Sequence, residues 1–269
     1  MTRSNLWTII GFLLCMVALP QAQASDTAKE KRWADQIVDE LIDGEAVWLQ
    51  AGDHEFLAIH TEHSTDTAKG GAIILHGIGI HPNWPDTIYP LRTRLPERGW
   101  TTLSLQMPIL PNDAEPDDYA PLMVEVPPRI DAAVAFLKQQ GIDNIVLVGH
   151  SLGSKMALYH VAGDFASVQE INAVAAIGLN ARETIHDSVD TISMLEKVKL
   201  PVLDLMGSED NSDVKDTAAQ RKEAAKRAGN TRYEQKVILG ANHFHVGREA
   251  DLLQTVDVWL VSASGAHGG

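Results

Sequence analysis

The segment Gly149-His150-Ser151-Leu152-Gly153 places a serine between two glycines, where the apolar run Asn144–Val148 gives way to a helical pattern over Ser151–Ala162. It fits G-x-S-x-G, in which a sharp strand-to-helix turn lifts a serine hydroxyl out of the backbone for attack on a carbonyl. The flanking glycines let strand and helix pass the turn without a Cβ collision. A serine hydroxyl is a weak nucleophile at neutral pH and needs a base, which in turn needs an acid to orient it. After an elbow of this type the acid follows a later strand and the histidine a still later one. "PVLDLMGSED" ends a strand at Gly207 and offers Asp210, with Glu209 and Asp213 as competitors. Asp213 alternatively suits the N-cap of the helix read over Val214–Ala228. "YEQKVILGANHFHVG" ends the last strand and offers His243, with His245 as its competitor.

Acyl transfer also requires donors for the oxyanion. The N–H of Leu152 opens a helix, where amides are unpaired and the dipole is positive. A second donor is expected from the loop "ILHGIGIHPNW", where His76 and Gly77 would turn the backbone over the site and present the N–H of Ile78; a plain glycine turn is the alternative.

Continuous apolar runs at Ala72–Leu75, Thr101–Leu105, Asn144–Val148, Ile171–Ile177, Val202–Met206 and Glu234–Leu239 read as strands covered on both faces. Between them, helical spacing recurs over Thr87–Glu97, Pro128–Gln140, Ser151–Ala162, His186–Val198, Val214–Ala228 and Arg248–Val261. This alternation implies an α/β fold with a mostly parallel sheet and helices on both faces. Ahead of it, "EAVWLQ" and "HEFLAIH" read as an antiparallel pair. A leader helix is expected within residues 25–45, with Trp33, Ile37, Val38, Leu41 and Ile42 on its apolar stripe.

Pro108–Pro128, with six prolines and five acidic residues, reads as an irregular loop. It follows a strand whose C-terminal end faces the site, so Leu110, Tyr119, Leu122 and Met123 are expected to wall an acyl pocket.

Taken in order, "LHGIG", "GHSLG", "GSED" and "GANH", each at a strand end, resemble the α/β-hydrolase superfamily over Gly71–Val261. "ILHGIGIHPNWP", "LPERGWTTLSLQMP" and "PVLDLMGSED" resemble, more narrowly, a proteobacterial group of exported hydrolase-like proteins of unknown function. The resemblance implies the fold and a Ser151–His243–Asp210 triad, but no substrate. Only "NARETIHDSVDTISMLEKVK" separates the sixth strand from the acid-bearing one, so no large cap domain is expected.

The first 24 residues carry Arg3, an apolar run from Leu6 to Leu19 and then "PQAQA". They read as a signal peptide cleaved after Ala24, leaving residues 25–269 as one periplasmic or secreted domain with no membrane span. Cys15 is the sole cysteine of the 269 residues, which removes disulfides and thiolate chemistry from the mature chain. The net charge of −14 becomes one unit more negative when Arg3 is lost, a surface that repels nucleic acid. The histidines at positions 54, 60, 63, 76 and 81 form no recognisable ligand set, so neither metal nor cofactor is expected. The expected activity is serine hydrolysis of a small-molecule ester or thioester. Amide cleavage, transfer to another acyl acceptor, or a catalytically silent binding role on the same fold are the alternatives.

Overall fold

A computed structural model describes residues 25–184, 186 and 189–265. The expected signal peptide lies outside these residues. Among them, no helix is long and apolar enough to cross a membrane.

Eight strands form one sheet: β1 (Glu45–Ala51), β2 (His54–Thr61), β3 (Gly70–Leu75), β4 (Trp100–Leu105), β5 (Ile145–His150), β6 (Ile171–Ile177), β7 (Val202–Gly207) and β8 (Tyr233–Ile238). Their order is β1-β2-β4-β3-β5-β6-β7-β8. β2 pairs antiparallel with β1 and β4, and every pair from β4 to β8 is parallel.

The continuous apolar runs are explained by two cores. β3 sends Ile73 and Leu75 to one face and Ala72 and Ile74 to the other, as side-chain alternation requires. The first face is covered by α3 (Val126–Gln139) and α4 (Leu152–Ala162), the second by α2 (Ile88–Arg94) and α8 (Glu249–Ser264). β8 departs from the sequence reading. It is an edge strand whose Glu234 and Val237 are exposed, and Leu239 just beyond it is also exposed.

The leader helix, α1 (Thr27–Glu40), is capped by Asp26, whose carboxylate accepts from the Lys29 N–H. Its buried face matches the expected stripe only in part: Ile37 is buried and Leu41 packs beside it, but Lys29, Glu30 and Ala34 are buried as well, whereas Val38 and, beyond the helix, Ile42 are exposed. Glu30 turns inward because Arg129 of α3 meets its carboxylate at 3.0 Å on both nitrogens while donating to the Gln106 carbonyl. A buried carboxylate is tolerated when it is paired in this way.

Three further sequence readings are corrected. Pro108–Pro128 is not irregular throughout: Pro116–Glu125 winds as a 3-10 helix with Pro116 in its first turn, and α3 then begins at Val126. Proline suits such first turns because its missing N–H has no helical partner there. Of the helix read over His186–Val198, the described residues hold α5 (Thr191–Leu195), and that over Val214–Ala228 divides into α6 (Ser212–Asp216) and α7 (Ala218–Arg227).

Candidate active site

Ser151 stands between β5 and α4 with φ 56° and ψ −118°, a conformation that costs a non-glycine residue energy. The surroundings hold it there. Its N–H donates to the Ile177 carbonyl at the end of β6. A Cβ on Gly149 would lie 2.4 Å from the Gly153 carbonyl oxygen, and one on Gly153 would lie 2.1 Å from that of Leu75. Both elbow glycines are therefore dictated by packing.

Asp210 and His243 meet at 2.6 Å, Oδ1 to Nδ1. The same carboxylate accepts from the N–H groups of Gly207 (3.2 Å) and Asn211 (2.8 Å). Burial pushes the Asp210 carboxyl up, but these bonds outweigh it and hold the group below its ordinary value. An ionised Asp210 accepts a hydrogen bond from Nδ1–H, which leaves Nε2 of His243 as the acceptor nitrogen. The competitors fall away on position. Glu209 and Asp213 are exposed, and Asp213 lies within the first turn of α6, where it makes no cap; Asn211 holds the cap position. His245 is buried at φ 55°, and neither ring nitrogen has a hydrogen-bond partner among the described residues.

The histidine loop is clamped by two groups that the sequence reading did not assign. His150 Nε2 lies 3.0 Å from the His243 carbonyl oxygen and donates to it. Thr87, at φ 58°, donates its hydroxyl to the Phe244 carbonyl at 2.6 Å. Gly178, at φ 64°, closes the other side: a Cβ there would sit 2.8 Å from His243 Cε1. The position of His150 inside "GHSLG" offered a hint, and Gly178 directly after a strand offered a second. Nothing in the sequence pointed to Thr87. The Ser151 hydroxyl makes no hydrogen bond among the described residues, and apo sites of this kind often tighten only when a ligand binds.

On the oxyanion side, Leu152 is the first residue of α4, so its N–H has no helical acceptor. The N–H of Ile78 is likewise unengaged among the described residues, and both residues line the cavity that holds Ser151. Gly77 must be glycine for a close approach, since its Cβ would come 3.0 Å from that of Ser151. His76 shapes this loop, as its place in the sequence suggested, but does not line the cavity as a binding residue. It is buried, with Nδ1 donating to the Gly77 carbonyl and Nε2 accepting from the Met107 N–H. Burial lowers it to about 3.

The cavity measures about 210 Å³. The 3-10 helix supplies Pro116, Asp117, Tyr119, Ala120 and Met123 to its wall. Leu110 and Leu122, expected beside them, pack behind Tyr119 in a separate buried cluster. The Tyr119 hydroxyl accepts from the Leu110 N–H. Lys155, Asn180, Arg182 and Thr184 form a polar wall that the sequence reading did not foresee.

Comparison with known proteins places this geometry in context. A family model described as "Protein of unknown function (DUF3530)" matches residues 16–126 and 121–261. None of the curated proteins matches. Among solved structures, a dienelactone hydrolase from Anabaena variabilis is similar at 20% identity and a TM-score of 0.64, covering 82% of this chain and 97% of that one. Est1E from Butyrivibrio proteoclasticus is similar at 16% identity and 0.63, covering 81% and 98%. XC6422 from Xanthomonas campestris, described as a member of a/b serine hydrolase without lid, gives 15% and 0.61, covering 82% and 94%. These likenesses show the α/β-hydrolase fold, and no large cap interrupts it among the described residues.

Proposed function

The chain belongs to the DUF3530 family, and we propose that it is a serine hydrolase acting on small esters or thioesters through an acyl-enzyme. The observation that carries this reading is the strained Ser151 elbow beside a His243–Asp210 pair at 2.6 Å. A binding protein has no use for a serine held at φ 56°.

In this reading Ser151 Oγ attacks the carbonyl as His243 Nε2 takes its proton. The oxyanion is held by the N–H groups of Leu152 and Ile78. Collapse passes the proton from His243 to the leaving oxygen or sulfur, and the acyl group stays on Ser151. Water, deprotonated by the same nitrogen, then releases the acid. Asp210 fixes the tautomer and stabilises the imidazolium throughout. A cavity of about 210 Å³ corresponds to the liquid volume of about seven waters, which suits an acyl group of a few carbons. Export with cleavage after Ala24 belongs to the same proposal, supported by the apolar run and "AQA".

A fluorophosphonate probe requires an activated serine and tests the reading directly. The protein is expected to label at Ser151 and to hydrolyse short p-nitrophenyl esters. Ser151→Ala is expected to abolish labelling and to lower turnover by about 10³-fold or more. An unlabelled wild-type protein overturns the proposal.

A further inference from the structure

The wall of the cavity beside Ser151 carries a charge that the proposed chemistry does not use. Lys155 lies four residues after Ser151 on α4, on the same helical face and about 6 Å further along the axis. It is half-buried, and its Nζ makes no hydrogen bond or ion pair among the described residues. Of the carboxylates around it, Asp190 caps α5 by accepting from the Ser193 N–H, Asp117 meets Arg182 at 3.3 Å, and Asp213, which also lines the cavity, is exposed to solvent. Arg182 also lines the cavity and stands close enough to disfavour the charge on Lys155. Burial lowers the Lys155 ammonium below its ordinary value, with Arg182 adding to the effect and Asp190 and Asp117 opposing it. Arg182 is thus paired with Asp117, which leaves Lys155 as the cation of this wall without a partner among the described residues, and a half-buried cation of that kind is stabilised by an anion placed beside it.

We infer that the substrate carries a carboxylate a few bonds from its scissile carbonyl, bound by Lys155. This rests on the serine-hydrolase reading and names its substrate class. The spacing of one helical turn suits a half-ester of a four- or five-carbon diacid, with the anion on the acyl side. An anion on the leaving-group side shares the same chemistry, and the test separates the two.

Two pairs of esters are compared by kcat/KM: mono-p-nitrophenyl glutarate against p-nitrophenyl valerate, and 4-acetoxybenzoate against phenyl acetate. A preference of about tenfold or more for the anionic member of either pair is expected, the effect of one charge-assisted hydrogen bond, and the pair that shows it identifies the side. Lys155→Met is expected to bring that ratio close to one, and Lys155→Arg to restore part of it. A wild-type ratio near one in both pairs, or one unchanged in Lys155→Met, overturns the inference while leaving the hydrolase reading intact. If no ester is turned over, the hydrolase reading fails by itself. Calorimetric titration of monomethyl glutarate then decides the anion site: binding lost in Lys155→Met supports it, and no binding to wild type overturns it.

Discussion

Lowering the pH from 7.5 to 5 should destabilise this protein through histidines that the fold keeps neutral. His76 and His150 are both buried, and burial takes each from 6.5 to about 3. The hydrogen bonds agree with neutral rings: His76 Nε2 accepts the Met107 N–H, and His150 Nε2 donates to the His243 carbonyl, leaving Nδ1 unpartnered. Protonation would break the first arrangement and place an uncompensated charge in the second. The unfolded chain takes up protons below pH 6.5 that the folded chain refuses down to about 3. Stability is therefore complete above 6.5 and is lost as pH falls toward 3. At pH 5 each ring contributes a loss of about 2 kcal/mol, so the pair removes about 4 kcal/mol of a total of roughly 5–15. His81 and His160, lowered by burial to about 4, act with the same sign. Urea unfolding at the two pH values measures the fall, and a slope of about 3 kcal/mol/M makes it a midpoint shift exceeding roughly 1 M. His150→Gln keeps a donor for the His243 carbonyl without the titration. Its pH-dependent loss should be smaller by about 2 kcal/mol. A variant that loses as much as wild type would refute the reasoning.

Asp210→Asn should preserve the fold, measured by circular dichroism, and cut ester turnover by about 10⁴-fold through the wrong imidazole tautomer. Asp213→Ala, at an exposed position that makes no cap, should leave the melting temperature within the range of a neutral surface change, about 0.5 kcal/mol. Gly178→Ala adds a methyl 2.8 Å from His243 Cε1 at a residue with φ 64°, so it should lower both kcat and stability; normal kcat would mean the His243 ring has room to move.

The architecture was legible in the sequence because its signals are local. Unbroken apolar runs require cover on both faces, and β3 shows why, feeding alternate residues to two cores. The elbow was legible for the same reason: Gly149 and Gly153 are steric necessities of one tight turn. Asp210 and His243 could be placed at strand ends by chain order, but choosing them over Asp213 and His245 required their 2.6 Å contact. Other features depend on elements distant in sequence. Glu30 points inward because Arg129 waits 99 residues away, so the buried face of α1 takes in Lys29 and Glu30 besides Ile37 and leaves Val38 of the apolar stripe exposed. His76 was legible as part of the turn over the site, but its partner, the Met107 N–H 31 residues on, was not. Leu110 and Leu122 were apolar enough for a pocket wall, but a 3-10 helix presents only some of its faces to the cavity, and theirs pack behind Tyr119. Residue types and local spacing thus determined which chemistry the chain can hold. The tertiary structure decided which side chains share a cavity, because burial, tautomer and charge pairing depend on neighbours brought together only when the sheet closes.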